Sequence, residues 1–318
     1  MAEKRIGLAV AAKDSMDALA RIRRAEAFGV SAAWLTTGGA RIDALTLFSA
    51  AAVQTQQILL GTSIIPTWPR HPIAVAQQVQ VLAQLSNGRF RLGVGPSHKD
   101  GMIQTFGADF RAPLEHMREY LHILKALLQQ GKVDLDGRYY TAHAEIEAPL
   151  DVPVMASALR RRSYELCGAE ADGAISWVCP GKYLRDVALP AMEAGAKKEG
   201  RAVPPLIAHA PVAVHEKADE VRQAVREQLS NYVRLPFYAR MFSDAGFPEA
   251  LEGIWSDAMI DAVAIHGNEE EVSEKLRRLL SYGATEIIAS PVLMGPDPDA
   301  SWERTVKALA EIGSSFEG

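Results

Sequence analysis

Strand-like and helix-like segments alternate along almost the whole of this 318-residue sequence, and that alternation restricts the fold more than any single motif does. Short apolar strands are predicted at 5–10, 32–36, 58–64, 89–94, 152–156, 173–178, 206–214 and 286–289. Helices are predicted at 43–54, 72–85, 113–130, 160–169, within 183–199, and at 302–312. Another is read as capped by Ser15, buries Leu19, Ile22 and Ala25, and stops before Gly29, where a left-handed residue is wanted. The best-specified helix follows Asn268, carries Glu269, Glu270 and Glu271 in its first turn, and ends at Gly283. A small surface hairpin at 133–147, turning at Asp136-Gly137, departs from the alternation. Eight short strands, most followed by a helix, point to an α/β (β/α)8 TIM barrel as one domain over 1–318. A doubly wound open sheet shares the pattern and stays open at this level. The helical stretch 217–266 is read as an insertion between strands seven and eight, at the barrel mouth, where insertions act as lids or subunit contacts.

Composition narrows the function classes. Hydrophobic content of 48% and charged content of 23% are those of a soluble globular protein. A formal charge of −5 gives no reason to expect nucleic acid or an anionic membrane as partner. Cys167 and Cys179 provide neither a disulfide framework nor a cysteine zinc site, and no His/Asp/Glu cluster has metal-ligand spacing, so no metal is expected. With no signal-like apolar region and no run long enough to span a bilayer, the expected location is cytoplasmic.

Two strand ends carry the chemistry. Residues 59–77 read LLGTSIIPTWPRHPIAVAQ: an apolar run ends on Gly61, Thr62 and Ser63, turns through prolines, and enters a helix at Pro72. Small hydroxylated residues at a strand end suit a flat ligand resting there. Phe90-Arg91-Leu92-Gly93-Val94-Gly95-Pro96 repeats the idea, a short strand breaking into a glycine-rich loop. Its GxG is no dinucleotide fingerprint, since Pro96 and Ser97 stand where a helix should open; close backbone approach to a ligand and a plain turn both remain open. Ser157, Ala158, Leu159 and Arg160 open a helix that continues with Arg161 and Arg162, the best anion site, with a solvated basic face as the alternative. Ser176-Trp177 would form a second wall. His98 has the intrinsic pKa of a proton donor or acceptor beside a ligand, with a merely solvated loop histidine, the commoner case, as the alternative. His71 reads as a helix-entry residue and His209 as a satisfied core position. Trp68, Trp177 and Tyr238 are candidate walls of an apolar substrate cavity.

The order of segments resembles the bacterial-luciferase-like family, whose members bind FMN or the deazaflavin coenzyme F420. Four matches carry the resemblance: Ala25-Glu26-Ala27-Phe28-Gly29; Gly61-Thr62-Ser63-Ile64 with Arg70-His71-Pro72; Ser86-Asn87-Gly88-Arg89-Phe90 with Leu92-Gly93-Val94-Gly95; and Ala171-Asp172-Gly173. The resemblance is stronger to the F420-dependent branch. It implies a non-prolyl cis peptide at Ser63-Ile64 backing the ring, and a cofactor site drawn from Thr62, Ser63, Ile64, Gly93, Val94, Gly95, Pro96, Ser97, Ser157, Ala158, Leu159, Arg160, Ser176 and Trp177. It also implies hydride transfer between F420 and a small organic substrate, and a homodimer. An FMN-dependent monooxygenase using oxygen is the first alternative, and a non-catalytic flavin-binding barrel the second. Many relatives carry an acidic residue and a histidine after the second strand, where this chain has Thr36-Thr37-Gly38-Gly39; where the sugar-phosphate dehydrogenases place a glutamate it has His98. Thr36 and His98 are therefore the candidate catalytic residues, and Thr37, Trp68 and Tyr238 the candidate substrate pocket.

Overall fold

The computed structural model describes residues 4–316. Its barrel strands are β1 (Arg5–Ala9), β2 (Ala32–Leu35), β3 (Leu59–Thr62), β4 (Phe90–Gly95), β5 (Val154–Ser157), β6 (Ala174–Trp177), β7 (Leu206–Val214) and β8 (Glu286–Pro291). All are parallel and pair in chain order. The ring closes because β8 returns to β1, with Gly7 opposite Ile288, while β7 pairs with both β6 and β8. A doubly wound sheet has two free edges, so closure decides the question in favour of the (β/α)8 barrel.

Alternation along each strand sorts the side chains into two sets. Ile6, Leu8, Ala33, Leu60, Phe90, Leu92, Val154, Ala208 and Ile287 face outward into the main core under the helices. Ala32, Trp34, Met155, Ile175, Ile207 and Ile288 face inward and form a separate cluster. Trp34 plugs the barrel. Its indole lies where side chains on β1 and β3 would otherwise stand: a Cβ on Gly7 would meet Trp34 Nε1 at 2.8 Å, and one on Gly61 would meet the ring at 2.5 Å. One layer lower, Glu286 accepts from Trp34 Nε1 at 2.9 Å and from Arg91 Nη1 and Nη2 at 2.6 and 3.0 Å. The Arg91 guanidinium carbon faces the indole ring, 4.5 Å from its centroid.

Most predicted elements are present with ends shifted by a residue or two. The first helix, Ser15–Ala27, is capped by Asp14, not Ser15; the Asp14 carboxylate accepts from the Asp17 amide at 2.8 Å. Gly29 has φ +87°, as expected. The helix Glu269–Ser281 has the full reciprocal cap, Asn268 Oδ1 accepting from Glu271 N and Glu271 Oε2 from Asn268 N, each at 2.9 Å. The hairpin pairs Lys132–Asp136 with Thr141–Glu145, so its turn lies after Asp136. A helix at Lys99–Phe106 and short strands at Ile65–Pro66 and Ile265–Gly267 are additions that the sequence pattern did not reveal. The insertion folds into helices Ala218–Gln228, Pro236–Asp244 and Asp257–Val263. Among the described residues no helix is long and apolar enough to cross a membrane.

Glu286→Ala should expose the dependence on this plug. It strands the Arg91 charge and the Trp34 N–H inside the barrel, a loss of about 3–5 kcal/mol of unfolding free energy by chemical denaturation; Glu286→Gln should lose less.

Candidate active site

Above the plug the barrel opens into a cavity of about 1970 Å³. Its floor follows from the two-residue period of the strands. Two positions on from Trp34, Met155, Ile175, Ile207 and Ile288 stand Thr36, Ser157, Trp177, His209 and Ser290, and all five line the cavity. Active sites of this architecture sit at that carboxyl end. One wall is the Ser63-Ile64 peptide, which is cis. It is clasped by the end of β2: Ser63 N donates to Leu35 O at 2.7 Å, Thr36 Oγ1 to Ser63 O at 2.6 Å, and Thr37 N to Ile64 O at 3.1 Å. Past that peptide, Ile65–Pro66 pairs with the end of β4.

Pro96, Ser97 and His98 continue the rim, with Ser97 at φ +58°, a backbone conformation that L residues adopt only where neighbours enforce it. Beside it, after the adjacent strand β5, lies the start of the helix Arg161–Glu170, preceded by Ser157, Ala158, Leu159 and Arg160. Ser163 Oγ accepts from the Leu159 and Arg160 amides at 3.0 and 3.1 Å. The Arg161 and Arg162 amides, in the first turn, have no carbonyl within the helix to bond. Arg160, Arg161 and Arg162 all border the cavity, and Arg160 pairs with Asp244 of the insertion at 3.1 Å while its buried Nε finds no partner among the described residues. Tyr232 and Tyr238 of the insertion close the remaining side.

Several expected site residues stand elsewhere. Thr62, Gly93, Val94 and Gly95 lie below the cavity. The Thr62 hydroxyl donates to Gly93 O at 2.8 Å and accepts from Gly93 N at 2.7 Å, splicing β3 to β4. Val94 points outward into the core. Strand approach requires the two glycines: a Cβ on Gly93 would sit 1.9 Å from Thr62 O, and one on Gly95 would sit 2.2 Å from Ser157 Oγ. Trp68 is drawn away from the cavity by stacking on His116, ring centroids 3.6 Å apart. Ser176 reaches the wall, but its hydroxyl donates to Ile207 O at 3.3 Å. The Thr37 hydroxyl accepts from Ala44 N at 3.0 Å, starting the helix Ala44–Ala52. His71 is the helix-entry residue expected, its Nδ1 accepting from Ile73 N at 3.2 Å.

His98 opens to the cavity with its ring 5.6 Å from Tyr232 and 5.9 Å from Tyr238. The surrounding protein desolvates the imidazolium and lowers its pKa, leaving a neutral ring at ordinary pH. His209, expected as a core residue, is instead part of the floor. It packs 4.2 Å from Trp177, pairs through Nε2 with Ser290 Oγ at 2.8 Å, and is pushed by burial to a pKa of about 3. Sequence reasoning missed Ser290 altogether; the available signal was its two-residue offset from an inward-facing strand position.

Residues 4–286 match the family described as luciferase-like monooxygenase. A 5,10-methylenetetrahydromethanopterin reductase of Methanolobus tindarius is 26% identical, covering 92% of this chain and 93% of its own. An F420-dependent glucose-6-phosphate dehydrogenase of Beutenbergia cavernae is 34% identical, covering 88% of this chain and 77% of its own. Among solved structures, an F420-dependent secondary alcohol dehydrogenase in complex with an F420-acetone adduct superposes with a TM-score of 0.81 at 19% identity, covering 99% of both chains.

The buried His209 couples the cavity floor to acid stability. Its folded pKa lies below the unfolded value of about 6.5, so the unfolded chain takes up the proton first and stability falls as pH drops from there toward 3. Wild type should lose up to about 1.4 kcal/mol per pH unit in that window relative to His209→Gln, read from paired denaturation curves at each pH.

Proposed function

This chain belongs to the luciferase-like monooxygenase family, and from that premise we propose that it is an F420-dependent oxidoreductase moving a hydride between the deazaflavin and a small organic substrate. The observation that carries the reading is the polarity of the cavity, which has arginines and first-turn amides without a helical carbonyl partner on one rim and an uncharged floor, half-buried or buried except at Thr36. A coenzyme with a planar ring, a phosphodiester and an acidic tail matches that division. Arg160 Nε and Ser63 Oγ, which have no partner among the described residues, are polar atoms that a bound coenzyme can satisfy. Arg160 and the start of its helix hold the phosphate, Arg161 and Arg162 face the tail, and Ser63, Ile64, Pro96 and Ser97 back the ring.

Bound there, F420 supplies a two-electron carrier at C5 that does little one-electron or oxygen chemistry. The protein contributes orientation and exclusion of water. Tyr232 and Tyr238 cover the floor, and His98, neutral and bordering the same cavity, accepts a proton from an alcohol-like substrate or relays one through water. Thr36, whose hydroxyl proton is given to Ser63 O, keeps only acceptor capacity toward a ligand.

Equilibrium binding of F420 and FMN to the purified protein, each followed by removal of free ligand, tests the assignment. F420 should be retained, more tightly with a longer polyglutamate tail; preferential retention of FMN with oxygen uptake would replace F420 in this reading, and retention of either without turnover on alcohols, imines and activated alkenes would make the protein a carrier. Arg160→Ala should weaken F420 about tenfold, one charge-assisted contact, without lowering the melting temperature. His98→Ala should depress kcat more than coenzyme affinity.

A further inference from the structure

The cavity floor identifies the kind of substrate, an inference that rests on the coenzyme reading only for which rim is left to the substrate. Each of the five floor side chains, Thr36, Ser157, Trp177, His209 and Ser290, is uncharged. Three rings stand over them: Tyr232 lies edge-on to Trp177 at 6.0 Å and to Tyr238 at 4.9 Å, and His98 faces both tyrosines. Burial holds His209 neutral, so it adds no cation. All other charged side chains bordering the cavity are on its exposed edge, and half-buried Arg160 is already paired with Asp244. A phosphate or carboxylate pushed to the floor would lose its water with no cation to replace it. An apolar body would meet aromatic faces there. One oxygen would meet the Ser290 hydroxyl, held in place by His209 Nε2 at 2.8 Å.

We propose that the substrate is an uncharged alcohol or carbonyl compound with an apolar body, its oxygen positioned by the Ser290–His209 pair, and not a phosphate ester. The neutral imidazole suits either redox state of such a substrate. When Nε2 accepts the serine proton, Ser290 Oγ is left to accept from an alcohol; in the other tautomer Nε2 donates to Ser290, whose hydroxyl donates to a carbonyl. Ser290 is thus a positioning and specificity residue, set on a rigid strand.

Saturation-transfer NMR on coenzyme-free protein tests this with size-matched probes, 4-phenylbutan-2-one and benzyl alcohol against phenyl phosphate and glucose 6-phosphate. Ser290→Ala should weaken the two uncharged probes about tenfold, the loss of one hydrogen bond, and Ser290→Thr should restore them. The phosphates, reaching only the arginine rim, should be indifferent to both changes and sensitive to Arg160→Ala. Uncharged probes that fail to bind, or bind equally well to Ser290→Ala, overturn the proposal, as do phosphates weakened as strongly by that substitution. F420 retained beside such a result leaves the coenzyme assignment standing; F420 rejected while the uncharged probes still depend on Ser290 removes the coenzyme and keeps the substrate class.

Discussion

One indole inside a ring of eight strands sets the terms for everything above it. Trp34 fills a barrel interior that Gly7 and Gly61 leave empty, and Glu286 and Arg91 pin it from below. Interiors are packed to crystal-like density, so a plug of this size decides where the filled part of the barrel stops. Side chains alternate along a strand, so the next inward positions beyond the plug are the ones left to line the opening. They form the cavity floor.

The floor and the rim follow different physical rules, and the division gives the site its chemistry. Floor residues are carried on strands with little freedom, in surroundings where an unpaired charge would be costly, and they are uncharged. The rim is made from loops and helix starts, where backbone amides and arginines can remain charged and hydrated. The insertion then adds tyrosines over the apolar end and Asp244 beside Arg160. One cavity thus joins a cation-bearing rim to an uncharged floor, the division on which the proposed coenzyme and neutral substrate rest.

The residues that made the family legible mostly do not border the cavity. Glu26, within the first matched segment, accepts from the backbone of Gln56, Gln57 and Ile58 at 2.7–3.0 Å. Its burial alone would raise the pKa, and these three donors outweigh that and lower it. Arg89 donates to the carbonyls of Ala52, Thr55 and Ile58. Asp172 gathers Lys125, Gln129 and the Val154 amide. Each fastens a loop to a neighbouring strand or helix, a job that tolerates few other side chains. The barrel, the position of the insertion, the Ser63-Ile64 wall and the arginine rim were all readable from local pattern and these segments. Thr62, Gly93, Val94 and Gly95 do not border the cavity, because a strand end looks the same in sequence whether it meets a ligand or another strand, and Trp68 is taken up by its stack on His116.

By itself, then, the sequence determined the alternation of elements, the caps that start and stop helices such as Glu269–Ser281, and the cation-rich start of the helix at Arg161, since each depends on residues within one turn or one strand of each other. Closure of the sheet decided the rest. Only when β8 meets β1 and β7 do His209 and Ser290, 81 positions apart, come within hydrogen-bonding distance. Which neutral side chains share a floor depends on strand register, and register between distant segments is fixed by packing around Trp34, not by any signal local to the chain.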